Sequence, residues 1–258
     1  MKVIAVSNSK GGVAKTTTAV TLSCELARRG FRTLLIDADS QGSASIASGI
    51  DRDNLRPGLG DVFFEQLPIQ QCIRATKVNN LYIVTGSLDL VAFDITFSAA
   101  TEREYILHTH LNTLEGLDYV IIDTPPQTSL LPINALVASD YYIIPTHATH
   151  LAVEGIHTLF NAISWLKDGV GLKAQLLGIL LTNVSKTNTN KYYVQHLKES
   201  LNSVFEVYIP SSVKVAESTG YGLDVIAYRR GCKASLAYIS FVNECLERIA
   251  KLNSGEEL

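Results

Sequence analysis

An α/β fold, a single domain with a mainly parallel twisted sheet covered by helices on both faces, is predicted by three observations. Short runs of β-branched and other apolar residues alternate with longer helical patterns from one end of the chain to the other, the signature of repeated β-α units. The runs are apolar throughout instead of alternating with polar residues, as strands buried on both faces must be. The 258 residues, 47% hydrophobic and 18% charged, are enough for a sizeable core, and no linker, composition break or internal repeat divides them.

The first strand is Lys2–Ser7, too short for a signal-peptide core and followed by a glycine loop instead of a cleavage site. A helix at Thr16–Arg29 follows and stops at Gly30. Further strands are read at Arg32–Asp37, Leu81–Thr85, Tyr119–Asp123, Tyr141–Pro145 and Gln175–Thr182, with one more near Glu206–Ile209. Helical patterns fall at Glu102–Thr113, Leu130–Ala138, His150–Lys167, Asn188–Ser203 and Lys233–Leu252, while Asp51 to Gly60 is a polar connection bearing Pro and Gly. The domain is expected to fill 1–258, with an acidic tail at 253–258 that frays. No stretch reaches the roughly 18 to 20 apolar residues of a membrane span.

Net charge is -3, so no global positive field marks a nucleic-acid protein, and any basic face must be local. Cys24, Cys72, Cys232 and Cys245 are far apart and lack CxxC spacing, which fits a reducing cytosol better than a zinc site or disulfide framework. His147, His150 and His157 lack the Cys or acidic ligand that would complete a metal set.

Ser9-Lys10-Gly11-Gly12-Val13-Ala14-Lys15-Thr16-Thr17 lies between the first strand and first helix, where a phosphate-binding loop belongs. Gly11 and Gly12 let the backbone curl with its N–H groups inward, and the helix beginning at Thr16 adds its positive end. Lys15 would reach the β- and γ-phosphates and Thr16 would set a hydroxyl on Mg²⁺. The strict pattern GxxxxGK[ST] fails, because Ser9 and Ala14 replace its two glycines. Ala14 fits before the lysine provided its φ is negative.

Lys10-Gly11-Gly12-Val13-Ala14-Lys15-Thr16-Thr17 resembles the deviant Walker A motif of the ParA/MinD class of P-loop ATPases. The resemblance implies a P-loop NTPase fold, ATP and Mg²⁺ as cofactors, and an ATP-sandwich homodimer in which Lys10 crosses to the partner's phosphates. Leu34-Leu35-Ile36-Asp37-Ala38-Asp39-Ser40-Gln41-Gly42 resembles the family's LLIDxDPQG, implying that Asp39 positions the attacking water and that Asp37 is its strand-end partner and a secondary metal candidate. A pair of acids at a strand end also reads as helix capping. Val120-Ile121-Ile122-Asp123-Thr124-Pro125-Pro126 is similar to the family's Walker B and second switch, which puts Asp123 on Mg²⁺ through a water, and makes Thr124, Pro125 and Pro126 the switch that senses the γ-phosphate.

Leu180-Leu181-Thr182-Asn183 and the segment from Val207 to Ser218 resemble the family's adenine-framing segments, with Asn183, Pro210 and Ser212 as contacts; these residue types also serve plain turns. The ParA branch binds DNA non-specifically and works with an adaptor, which would here be ParB- or McdB-like. From Asn183 to Ala234 the bases Lys186, Lys191, Lys198, Lys214, Arg229, Arg230 and Lys233 outnumber the acids Glu199, Glu206, Glu217 and Asp224 by seven to four, a local surplus that a solvated face would also show. The acidic end of the last helix disfavours a MinD-like membrane anchor, and an N-terminal helix-turn-helix is not expected. The implied protein is a cytoplasmic, nucleoid-associated ATPase that positions a plasmid, a chromosome region or an organelle such as a carboxysome. The competing readings are a membrane-recruited relative of MinD and a metabolic or maturation ATPase.

Overall fold

Seven strands form one sheet in the computed structural model of the chain, which describes residues 1–256 and, for residues 150, 151 and 153, the backbone only. They are β1 (Lys2–Val6), β2 (Thr33–Asp37), β3 (Arg74–Ala75), β4 (Leu81–Val84), β5 (Tyr119–Asp123), β6 (Tyr141–His147) and β7 (Gln175–Thr182), in the order β3-β4-β2-β5-β1-β6-β7. All neighbours are parallel except β3 against β4. The apolar runs do what their composition requires. In β2, Leu35 enters the cluster on one face of the sheet while Leu34 and Ile36 enter the other, and all three are fully buried, each worth about 1.5–3 kcal/mol of burial.

Helix α1 (Lys15–Arg28) packs on one face beside α2 (Lys233–Ser254), in a cluster that includes Val20, Leu22, Tyr238 and Phe241. It ends as Gly30 predicts: the residue adopts φ 96, its N–H donates to Ala27 O at 3.0 Å, and Phe31 N–H donates to Leu26 O at 3.2 Å. Because β1 lies between β5 and β6, the chain order reverses at β1, and ligands bind in the crevice at such a reversal, outside the strand C-termini.

Four expectations are corrected. Residues 206–209 form no strand; isolated bridges flank the stretch, Val204 to Ile179 and Pro210 to Val184, and within it Ile209 N–H donates to Leu181 O at 2.8 Å. The helix expected over 102–113 is broken into a 3-10 turn at Arg103–Tyr105 and a helix at Ile106–Leu111, with Glu102 left-handed at φ 53. The helix from Asn188 ends at Ser200, short of the left-handed Ser203. Asn253 and Ser254 belong to α2 instead of a frayed tail, since Asn253 Oδ1 accepts bonds from Lys2 Nζ and Tyr141 OH, both at 3.0 Å; residues 257 and 258 lie outside the described residues.

Candidate functional site

The loop from Asn8 to Ala14 is pinned at both ends. Asn8 donates its side-chain amide to Pro145 O at 2.8 Å on β6 and accepts Lys10 N–H at 3.0 Å, so the turn out of β1 is tied to its neighbour strand. On the other side the Thr182 hydroxyl lies 3.1 Å from both Val13 O and Thr146 O, and Val13 is fully buried. Gly12 takes φ 72, and so in effect does Ala14, with φ 67 and ψ 32. The negative φ expected of Ala14 is therefore wrong: this residue turns left-handed to start α1, a conformation that costs an L-residue about 1–2 kcal/mol. No side chain caps α1, leaving its first N–H groups for an anion.

The two lysines of the loop part company. Lys15 is buried, and its Nζ donates to Lys10 O at 3.0 Å, spanning the loop's own curl. Burial lowers its pKa, against the pull of Asp123 and Asp39. Lys10 presents its side chain to solvent and forms no ion pair among the described residues.

Three carboxylates sit at neighbouring strand ends, Asp123 being in register with Val6 of β1 and Asp37 of β2. Asp37 is satisfied within the protein: Oδ2 accepts Ser45 N–H at 2.8 Å and Ser45 Oγ–H at 2.7 Å, and Oδ1 accepts Asp39 N–H at 3.2 Å. This is the capping role, and it accounts for three hydrogen bonds to the Asp37 carboxylate. Its carboxyl is pushed up to about 6, chiefly by burial. Asp123 differs, because both its oxygens are buried without a hydrogen-bond partner. Burial, then the Asp37 charge, pushes its carboxyl well above the ordinary range; the Thr16 hydroxyl and Lys15 oppose this, yet neither closes a hydrogen bond. An orphaned carboxylate beneath a helix start bearing Thr16 fits a divalent cation that brings its own waters. Among the described residues no cluster of three His, Cys, Asp or Glu forms a site made of protein ligands alone.

Asp39 faces the open side and accepts Gln41 N–H at 3.0 Å. The Thr124 hydroxyl donates to Val6 O at 3.0 Å and is buried. Pro126 reaches the cleft while Pro125 lines the smaller hollow beside it.

A cleft of about 490 Å³ gathers Gly12, Ala14, Lys15, Thr16, Thr17, Asp39, Pro126, Asn183, Pro210 and Ser212. Lys10, Gly11, Val13 and Asp123 stand at its rim or beneath its floor and do not line it. Asn183 is left-handed at φ 53, and Ser212 accepts Lys214 N–H at 3.3 Å as the cap of helix Val213–Gly220. Sequence reasoning named Thr182 only within its segment and weighed His147 only as a metal ligand, and it missed Thr219 and Tyr238; all four line the cleft. His147 and Thr182 end β6 and β7, a position that could have flagged them; Tyr238 comes from α2, its hydroxyl 3.3 Å from Thr18 Oγ1, and nothing local marks it. Burial, followed by the Lys10 charge, lowers the pKa of His147.

Of the seven basic residues singled out near the C-terminus, Lys198 is paired with Glu206 at 2.6 Å and Lys214 with Glu217 at 2.7 Å. Lys186, Lys191, Arg229, Arg230 and Lys233 are exposed and form no ion pair among the described residues. Lys233 titrates below its usual range because the Lys186 side chain is its neighbour. Asp224 is taken by Arg28 of α1 and caps helix Val225–Tyr228. Among the described residues no helix is long and apolar enough to cross a membrane.

A parallel sheet with a glycine loop opening onto an uncapped helix, and a buried strand-end aspartate beside it, defines a P-loop nucleotide-binding α/β protein. A family model described as an AAA domain matches residues 1–177. The chromosome partitioning protein ParA of Myxococcus xanthus is 34% identical, covering 96% of this chain and 88% of that protein. The sporulation initiation inhibitor protein Soj of Bacillus subtilis is 32% identical over 94% and 97%. A crystal structure named as cobyrinic acid a,c-diamide synthase of Mycobacterium smegmatis, with bound ATP analog and magnesium, superposes with a TM-score of 0.85 at 27% identity, covering 100% of this chain and 98% of that one. The chain belongs to the ParA/MinD class of P-loop ATPases.

Proposed function

We propose that this protein is an ATP-driven positioning ATPase of the ParA type. It binds Mg-ATP, dimerises on it, associates with DNA without regard to sequence, and is released when an adaptor stimulates hydrolysis. The observation that carries this reading is the division of labour between the lysines: Lys15 already fills the loop's interior, so an exposed Lys10 on the same rim is free to serve a second copy's phosphates.

In this reading the loop N–H groups from Gly11 to Thr17 and Lys15 hold the triphosphate. Thr16 and Asp123, the latter through a water, hold Mg²⁺, which when bound neutralises phosphate charge. Asp39, lining the cleft, orients the attacking water by accepting its hydrogen bond, and positioning of this kind is most of what phosphoryl transfer asks of a protein. Asn183, Pro210 and Ser212 face the base. Thr124 acts through the β1 backbone it already holds at Val6, so that movement of the prolines behind it reaches the loop.

The five unpaired basic residues support contact with phosphate backbone, and the M. xanthus relative is named for chromosome partitioning. The local balance is modest, so dimerisation, which doubles it, would switch DNA binding on. Wild type mixed with DNA and with anionic liposomes, each with and without ATP, tests this. DNA binding only with ATP, insensitive to sequence and falling steeply with salt, is the expected result. Replacing Arg229 and Arg230 by Glu should weaken it on every sequence while ATP-driven dimers survive. Liposome binding in place of DNA binding would favour the MinD-like reading, and neither, with turnover of a small-molecule co-substrate, the metabolic one.

A further inference from the structure

Glu244 and Arg248 lie one turn apart on α2, and neither lines the cleft. We propose that this pair is a positioning device for the nucleotide: it selects the register in which the chain after Phe205 runs along β7, and so decides which residues form the base-side wall. The proposal rests on the reading of the cleft as an ATP site.

The segment meets β7 at two places. Ile179 N–H donates to Ser203 O and Phe205 N–H donates to Ile179 O, both at 3.0 Å; further on, Ile209 N–H donates to Leu181 O at 2.8 Å and Val184 N–H to Ile209 O at 3.0 Å. A regular parallel ladder advances two residues on each strand, which would place Val207 N–H on Leu181 O. The chain instead uses four residues, Phe205 to Ile209, against the two from Ile179 to Leu181, so two residues loop out.

Hydrophobic patterning does not forbid the regular alternative. A slip of two residues keeps every side chain on its original face, unlike a slip of one. In the slipped register Val207 and Tyr208 would stand where Ile209 and Pro210 stand, and Ser212 would be displaced with them.

Glu244 removes the degeneracy. Its carboxylate accepts Glu206 N–H at 2.9 and 3.1 Å and Val207 N–H at 3.3 Å, so the donor that the regular ladder needs is already committed. Arg248 fixes Glu244 in turn, with Nε and Nη2 at 3.1 and 2.8 Å from Oε1. The same guanidinium donates to Leu177 O at 3.0 Å, Ser203 O at 2.9 Å and Val204 O at 2.8 Å, and lies 4.2 Å over the Phe205 ring. A planar fork of donors can bind two strands' carbonyls and a carboxylate at once, which a lysine cannot. Gly178 makes the room: a Cβ there would come 2.6 Å from both Arg248 Nη1 and the Phe205 ring.

The test compares E244A and E244Q with wild type in calorimetric binding of ATP and of inorganic tripolyphosphate, both with Mg²⁺. Tripolyphosphate reports the loop alone; ATP reports the loop and the wall. E244A should lose on the order of tenfold in ATP affinity while tripolyphosphate changes by less than about twofold, with E244Q, which keeps one acceptor oxygen, in between. An unchanged ratio of the two affinities in E244A overturns the proposal, and so does a parallel loss of both, which would mark a general fold defect. Should E244A not fold by circular dichroism, E244Q decides by the same ratio. Wild type that binds neither ligand would overturn the nucleotide reading and the register proposal with it, whereas wild type that binds both while the variants match it overturns the register alone.

Discussion

Ala14→Gly should stabilise the protein, a direction opposite to that of glycine substitutions in a helix interior. Ala14 sits at φ 67, ψ 32, where an L-residue loses about 1–2 kcal/mol to the contact of its Cβ with the following carbonyl. Glycine has no such contact but leaves a more flexible unfolded chain, which offsets about 0.5–1 kcal/mol of the gain. The net is roughly 0.5–1 kcal/mol, and with an unfolding entropy of about 2.1 cal/mol/K per residue over 258 residues that raises Tm by about 1–2 °C. Scanning calorimetry without nucleotide is the assay, with Ala14→Val as the opposing arm: a β-branched residue at positive φ is a genuine outlier, so its Tm should fall below wild type. Because the turned conformation is what directs the loop N–H groups inward, strain is present with and without ligand and cancels in binding, so the ATP affinity of Ala14→Gly should stay within about twofold of wild type. A Tm for Ala14→Gly equal to or below wild type would refute the left-handed assignment.

Lys10→Ala should bind ATP with near wild-type affinity and lose ATP-induced dimers; normal dimers by light scattering would sink the sandwich. Asp39→Ala should keep nucleotide affinity and lose turnover by on the order of 100-fold, the usual worth of a positioned acid–base group, and unchanged single-turnover hydrolysis would move that role elsewhere. Asp123→Asn should raise the stability of the nucleotide-free protein more at pH 8 than at pH 5. Burial and Asp37 raise the folded-state pKa of Asp123 above its unfolded value, so wild type loses stability as pH climbs through the carboxylate range toward the folded pKa, and the amide removes that loss. Urea unfolding at both pH values checks it, and a gap between variant and wild type that does not widen with pH would contradict it. The same variant should lose the extra stabilisation that Mg²⁺ adds to ATP.

The inner strands were legible because a strand buried on both faces has only one composition, and β1, β2, β4 and β5 fall within a residue of their expected bounds, as does the edge strand β7. What escaped was set by distant partners. β3 is two residues long and pairs antiparallel at the sheet edge, too short for any period to show. The strand expected at 206–209 has strand-like residues, but Glu244, 38 residues later in the chain, takes the N–H groups of Glu206 and Val207. The P-loop was legible as a motif in its setting, while the conformation of Ala14 was not, because the rule that alanine avoids positive φ yields here to the need to start α1 facing the cleft. Asp37 and Asp123 look alike as strand-end acids. Only the structure separates them, through Ser45, which satisfies one and not the other.

The unfavourable features of this molecule converge on one ligand. Ala14 is left-handed, Lys15 is a buried cation whose burial lowers its pKa, and Asp123 is a buried anion pushed up by burial and by Asp37. Lys15 and Asp123 attract one another, yet no hydrogen bond joins them; Lys15 turns instead to the carbonyl of Lys10. Each charge is therefore left to be neutralised from outside, the lysine by an anion and the aspartate by a cation. A phosphate chain alone would serve Lys15 and worsen the repulsion at Asp123, and a divalent cation alone would do the reverse. Only the two together relieve both, so the site favours the metal–nucleotide complex over either component, and the thermal stabilisation by Mg²⁺ and ATP added jointly should exceed the sum of their separate effects.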